Sequence, residues 1–235
     1  MEYRSAHILK GLVEEYIRTA KPVGSTSLCE VLQLDVSSAT IRSILRELED
    51  EGYIVQPHTS AGRIPTDKGY RYYVDNLTFR GQSSQQLQQI AGRLTAYKEE
   101  YERPARATAK LLAELARSIA VSGYMSTRDI HEAGLASLFE SEEEESQQAA
   151  REVSGFLDNI DKHIEELGEY SGGVVQIYIG QENPVQDTKY MSLLVRAAKL
   201  PTGERAVLLI AGPKRMQYKR NVSLLNSVAS IIEHL

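Results

Sequence analysis

The 235-residue sequence holds one cysteine, Cys29, which excludes an intramolecular disulfide framework and agrees with a reducing compartment. Set among Leu28, Val31 and Leu32, it reads as an inert, buried thiol, because a free cysteine packs as a small hydrophobe. No run approaches the roughly 18 apolar residues of a membrane-crossing helix. The stretch from Met1 to Tyr16 lacks the apolar core and small-residue cleavage site of a signal peptide. A cytoplasmic protein without a membrane partner is therefore expected. There is no Gly-rich phosphate loop, no His/Cys set at metal spacing and no nucleophile beside a base. His7, His58, His131, His163 and His234 are scattered, and Asp158, Asp161, Glu165 and Glu166 read as the solvent side of an apolar stripe. No catalytic, cofactor or metal site is expected, and an enzyme is the least favoured class. A broad cationic excess is missing too: the net charge is −5, which argues against a protein that coats nucleic acid nonspecifically.

What is present is a local concentration of cations. Arg42, Arg46, Arg63, Lys68 and Arg71 gather in one region, while acids collect at Glu47, Glu49, Asp50 and Glu51 and again at Glu140 and Glu142 to Glu145. The apolar residues Ala6, Leu9, Leu12, Val13, Tyr16 and Ile17 recur at spacings of three and four, the mark of an amphipathic helix that ends at Lys21-Pro22-Val23-Gly24. Ser25 caps a short second helix to Leu32, in which Leu28, Val31 and Leu32 face one way, and a loop passes through Leu34 and Asp35. Ser37 and Ser38 supply cap oxygens for a third helix whose buried stripe is Ile41, Ile44 or Leu45, and Leu48; Gly52 stops it. Tyr53-Ile54-Val55 is a short β-run, and Gln56 to Pro65 is a Gly- and Pro-punctuated loop able to form a hairpin. Helix, helix, helix, strand and wing is the winged-helix order.

Past Thr66, which caps a further helix, and a polar gap at Gly81 to Ser84, the residues Leu87, Ile90, Leu94, Tyr97 and Tyr101 follow heptad spacing. Val153, Leu157, Ile160, Ile164 and Leu167 repeat it. Each stripe suits pairing with another helix, inside the subunit or across a dimer. Val174 to Ile179, Leu193 to Ala198 and Ala206 to Ala211 predict three antiparallel strands, followed by a helix from Lys214 to His234 that covers one sheet face. The expected class is α+β, with a winged helix-turn-helix over 1–78, a helical linker or dimerisation region over 79–170 with an acidic loop near 140–146, and a small antiparallel sheet with helices over 171–235.

A helix fits the major groove of duplex DNA, and its first turns approach the bases. Ser37 to Glu47 is the candidate groove helix, with Ser37, Ser38 and Thr40 at the entrance. Arg42 and Arg46, one turn apart, either fork onto guanine or clamp phosphate, and Ser43 offers a small donor and acceptor. His58 to Pro65 is the candidate wing, where Arg63 beside Gly62 and near the hydroxyls of Thr59 and Ser60 suits phosphate or minor-groove contact. His58 is open between a surface residue and a phosphate contact. Lys68 and Arg71 extend the cationic set, although Arg71 also has Tyr70 and Tyr72 to pack against.

Val23-Gly24-Ser25, Asp35 to Arg42 and above all Gln56 to Arg71 resemble the DNA-binding domain of the bacterial heat-inducible transcription repressor family HrcA. Val175 to Pro184 and Gly212 to Tyr218 are similar to the end of that family's GAF-like domain. The resemblance implies a homodimeric repressor of heat-shock chaperone genes that sits on an inverted-repeat operator in double-stranded DNA. It also implies that a GroEL-type chaperonin keeps the repressor active, and that the repressor lets go when unfolded protein occupies that chaperonin. The chain departs from the family's pattern at Ser43, Ile44 and Arg46. It is also short between Tyr124 and Gly172, where an acidic stretch stands in place of further strands and an inserted dimerisation region. The alternative is a winged-helix regulator of other genes that answers a small ligand or protein partner; a protein-binding scaffold is opposed by the cations Arg63 and Lys68.

Overall fold

The computed structural model describes residues 2–33, 37–59, 61–79, 82–139 and 144–234. The chain divides into two units, Met1–Leu77 and Thr78–Leu235. In the first, helix α1 (Tyr3–Thr19) buries Leu9, Leu12, Val13, Tyr16 and Ile17, the stripe that its spacing dictates. Helix α2 (Ser25–Leu32) is shorter and sits less deeply: Leu28 is buried, Cys29 and Leu32 are half-buried, and Val31 is 48% exposed. The expected shared face of Leu28, Val31 and Leu32 and the expected buried thiol are thereby corrected. Two turns of helix held against α1 and α3 (Ser38–Asp50) seal only one residue fully. The anticipated loop through Leu34 and Asp35 lies outside the described residues.

Helix α3 buries Ile41, Ile44, Leu45 and Leu48. Its successors β1 (Ile54–Val55) and β2 (Ile64–Pro65) pair antiparallel, Ile54 opposite Pro65 and Val55 opposite Ile64. Thr66 then caps α4 (Asp67–Asp75) by accepting the Gly69 N–H, while its own hydroxyl donates to the Gly52 carbonyl at 2.7 Å. Gly69 is required here, because a Cβ would strike the Tyr53 carbonyl oxygen. On the next turn Tyr73 is buried; desolvation, and secondarily the nearby Glu14 carboxylate, pushes its hydroxyl up to about 12.

The second unit is a three-layer α+β arrangement. Its sheet has five antiparallel strands in the order β4-β3-β7-β6-β5: β3 (Ile119–Tyr124), β4 (Asp129–Ala133), β5 (Gln176–Ile179), β6 (Met191–Lys199) and β7 (Arg205–Pro213). Helices α7 (Glu144–Leu157) and α8 (Ile160–Ser171) cover one face. There Val153, Phe156, Ile160, Ile164 and Leu167 join Ile119, Val121, Leu193, Val195, Val207 and Leu209 in a single core. Helices α6 (Pro104–Ala116) and α9 (Tyr218–Ile232) lie against the other face, and α5 (Ser84–Glu100) packs on both of them through the buried Ile90 and Leu94. The two heptad-like stripes thus have different partners: the second seals a sheet, and the first meets neighbouring helices within the subunit.

Five strands replace the three read from sequence, and two of them fall where a helical region was expected. Strand β3 is buried at every position, so it has no alternation to betray it, and Ala120, Ser122 and Gly123 dilute its β-forming signal. Strand β4 is an edge strand whose Asp129, His131 and Glu132 suit a sheet margin and disguise it as a loop. Glu144, Glu145 and Ser146 belong to the first turns of α7 rather than to an acidic loop; Glu140 to Glu143 lie outside the described residues. On α7, Glu152 accepts the backbone N–H groups of Lys189, Tyr190 and Met191 at 3.0, 2.9 and 3.0 Å, which ties the segment before β6 to the helix.

Candidate nucleic-acid interface

Helix α3 begins where Ser37 accepts the Thr40 N–H at 3.1 Å, and the two hydroxyls are 3.0 Å apart. Of the three candidate entrance residues, Ser37 is thus the cap, Thr40 the residue whose N–H it holds, and Ser38 the first residue of the helix. Burial of the Ile41, Ile44, Leu45 and Leu48 stripe turns Arg42, Ser43 and Arg46 outward, where all three are exposed. Arg42 Nη2 donates to Ser38 Oγ at 3.3 Å, which leans the guanidinium toward the helix start. The outward charge is graded along the axis: Arg42 and Arg46 are followed by the exposed Glu47, Asp50 and Glu51. An anionic ligand is thus favoured at the first two turns and repelled at the last, and the helix dipole adds to the same preference.

The hairpin presents a different arrangement. His58 and Thr59 are exposed at its tip, while Ser60 lies outside the described residues. Arg63 does not project with them. Its guanidinium donates to Glu49 Oε2 through Nη2 at 3.0 Å and Nε at 3.3 Å. Lys68 Nζ donates to the Glu51 carbonyl at 2.7 Å and stands 4.2 Å from the centre of the Tyr53 ring, which satisfies the C-terminal end of α3. Arg71 pairs with Asp75 one turn along α4 at 3.1 Å. Of the cations singled out in the sequence, Arg42 and Arg46 thus share one outward face, whereas Arg63, Lys68 and Arg71 are engaged with groups of their own unit.

Glu49 is the residue that sequence reasoning passed over, as one acid among several. A clue was available: Glu49 lies four residues beyond Leu45 and next to Leu48, on the flank of the buried stripe, where a carboxylate needs a partner. Among the described residues no cluster of three or more His, Cys, Asp or Glu is placed to hold a metal ion, and no helix is long and apolar enough to cross a membrane.

The chain is 64% identical over 70 residues to the heat-inducible transcription repressor HrcA of Bifidobacterium longum (strain DJO10A), a match covering 30% of this chain and 19% of that one. It is 46% identical over 124 residues to the repressor of the same name from a Nocardioides species, covering 52% of this chain and 36% of the relative. These matches span well under half the length of either relative. A crystal structure of a hypothetical protein at 2.2 Å resolution, 20% identical, aligns over 99% of this chain and 98% of the other with a TM-score of 0.75, a likeness of fold alone. The family described as the HrcA protein C terminal domain matches residues 76–222, well over half of the 235. The chain belongs to the HrcA family.

Proposed function

We propose that the first unit is a winged helix-turn-helix that lays α3 in the major groove of duplex DNA, and that the protein works as a homodimeric repressor of heat-shock genes at an inverted repeat. The observation that carries this reading is the outward face of α3, where Arg42, Ser43 and Arg46 stand exposed on a helix locked from behind by Ile41, Ile44, Leu45 and Leu48. Ser37, Ser38, Thr40, His58 and Thr59 flank that face. A two-fold protein calls for a two-fold site, with half-sites one helical turn or a multiple of it apart. Regulation by a GroEL-type chaperonin in the bacterial cytoplasm extends the reading by resemblance to the family.

A mobility shift on a duplex selected from a random pool by the protein itself tests it. Arg42→Ala and Arg46→Ala are each expected to lose about tenfold to a hundredfold in affinity, and Ser43→Ala less. Unchanged binding by both arginine variants at physiological salt would remove α3 from the interface. Light scattering with and without the duplex checks the dimer.

A second reading, control by a small ligand, is favoured by one observation: a cavity of about 660 Å³ in the second unit, bordered by Lys98, Arg103, Tyr124, Arg128, Leu200 and Ile232. Its volume is that of an ordinary ligand site. A thermal-shift screen of organic anions, followed by the mobility shift in the presence of any hit, separates this control from a chaperonin-dependent one.

A further inference from the structure

One carboxylate joins the hairpin to the groove helix. Glu49 Oε1 accepts the Gln56 N–H at 2.9 Å, and Oε2 accepts both Arg63 donors. Gln56 directly follows β1 and Arg63 directly precedes β2, so a single side chain of α3 holds both stems. The Arg63 and Glu49 side chains keep only 19% and 29% of their exposure, which protects the pair from full solvent screening. Further contacts fix the loop between the stems. Val23 and Arg63 exchange two backbone hydrogen bonds of 2.8 and 2.9 Å, Gln56 Nε2 donates to the Thr59 and Ala61 carbonyls, and the Ala61 N–H donates to the His58 carbonyl. Gly62 permits the approach to Val23, since a Cβ there would stand 2.5 Å from the Val23 carbonyl carbon.

We propose that Glu49 is a positioning residue for DNA recognition: it sets the offset of the His58–Thr59 tip from Arg42, Ser43 and Arg46, so that helix and tip engage one duplex together. The proposal rests on the winged-helix reading above. A helix and a loop that address neighbouring grooves of a stiff duplex must keep a fixed spacing, and a loop ordered before binding loses less freedom on binding. The charge of Glu49 by itself works the other way, because an acid on the DNA-facing helix repels phosphate. The two roles therefore predict opposite signs when Glu49 is changed.

The test uses the full chain, a duplex selected by the parent protein from a random pool, and a random-sequence duplex of equal length. Glu49→Asp keeps the charge but is one methylene too short to reach both stems. Glu49→Gln keeps the length but sets an amide N–H₂ against a donor. Both variants are expected to lose about tenfold or more on the selected duplex, with weaker hydroxyl-radical protection beside the helix-contacted bases. On the random duplex Glu49→Asp is expected to match the parent and Glu49→Gln to bind more tightly. A merely structural role would shift the unfolding midpoint and leave the footprint and the selected-to-random ratio intact, which overturns the proposal. So would an equal gain by Glu49→Gln on both duplexes, the signature of charge alone. If Glu49→Asp does not fold, Arg63→Ala frees one stem from the same carboxylate without touching α3, and an unaltered footprint in that variant counts against the proposal equally. Absence of salt-dependent binding by the parent would instead bring down the DNA-binding reading itself, and this assignment with it.

Discussion

The outward face of α3 and the hairpin with its following helix carry the same kind of side chain in two different conditions. Arg42 and Arg46 are exposed on a helix whose other side is sealed by Ile41, Ile44, Leu45 and Leu48, and what they face is open to a partner. Arg63, Lys68 and Arg71 hold, respectively, the Glu49 carboxylate, the Glu51 carbonyl and the Asp75 carboxylate. A cationic cluster in sequence is therefore two populations in space, one exposed on the face proposed to meet DNA and one engaged with groups of its own unit. The division also explains how a chain of net charge −5 presents a local cationic face: Glu49 and Asp75 neutralise Arg63 and Arg71, while Arg42 and Arg46 stay exposed on α3.

The contrast is open to attack at several points. Gly69→Ala is expected to have the largest effect, about 3 kcal/mol or more of lost stability, since the new methyl group meets the Tyr53 carbonyl with backbone on both sides; chemical denaturation of the parent and variant measures it. Next comes a matched pair. Arg63→Ala is expected to cost about 1–2 kcal/mol by leaving the Glu49 carboxylate with the Gln56 N–H alone, whereas Arg46→Ala stays within about 0.5 kcal/mol of the parent. Equal costs for the two, read from urea midpoints, would erase the distinction. Lys68→Ala is expected to cost about 1 kcal/mol at most, by releasing a carbonyl that water then solvates; its amide exchange at the end of α3 would quicken even where the midpoint barely moves.

The smallest effect lies in the second unit and serves as an outside reference. His163 stacks on Phe156 with ring centres 5.5 Å apart, and burial, partly countered by Glu166 and aided by Lys162, holds its pKa below the usual value. The unfolded chain then takes up the proton first. Stability from this group is complete above about pH 6.5 and declines as the pH falls below it. A slightly lower unfolding midpoint at pH 5 than at pH 7, with the difference reduced in His163→Gln, is the expected result. A substitution on the outward face of α3 such as Arg46→Ala should leave that difference unaltered.

Local signals carried much of the fold and the central helix of the candidate site. The Ser37 cap and the spacing of Ile41, Leu45 and Leu48 are properties of a dozen consecutive residues, and they define which face of α3 points outward. Strands β5, β6 and β7 were legible as apolar runs for the same reason. Tertiary context hid the rest. Strand β3 is covered on both faces and shows no period; β4 is a charged margin; Val31 follows helical spacing yet stays 48% exposed. The largest difference at the site concerns Arg63, whose residue type suits phosphate and whose partner, Glu49, stands 14 positions earlier in the chain. No short-range pattern separates a guanidinium aimed at DNA from one folded back onto a carboxylate.

The clamp on α7 bears on how the protein meets a protease. Lys189 is exposed and lies in a segment that starts at Asn183 and runs without a strand of its own to β6, the kind of site at which trypsin nicks a folded protein. Cleavage, however, needs the backbone to enter the enzyme's cleft in extended form, and the amides of Lys189, Tyr190 and Met191 are all held by Glu152. The bond after Lys189 is cut only in molecules that have let all three amides go together. Its rate of digestion therefore reports the opening of that segment from α7, and loss of the Glu152 carboxylate would turn a resistant lysine into an early cut.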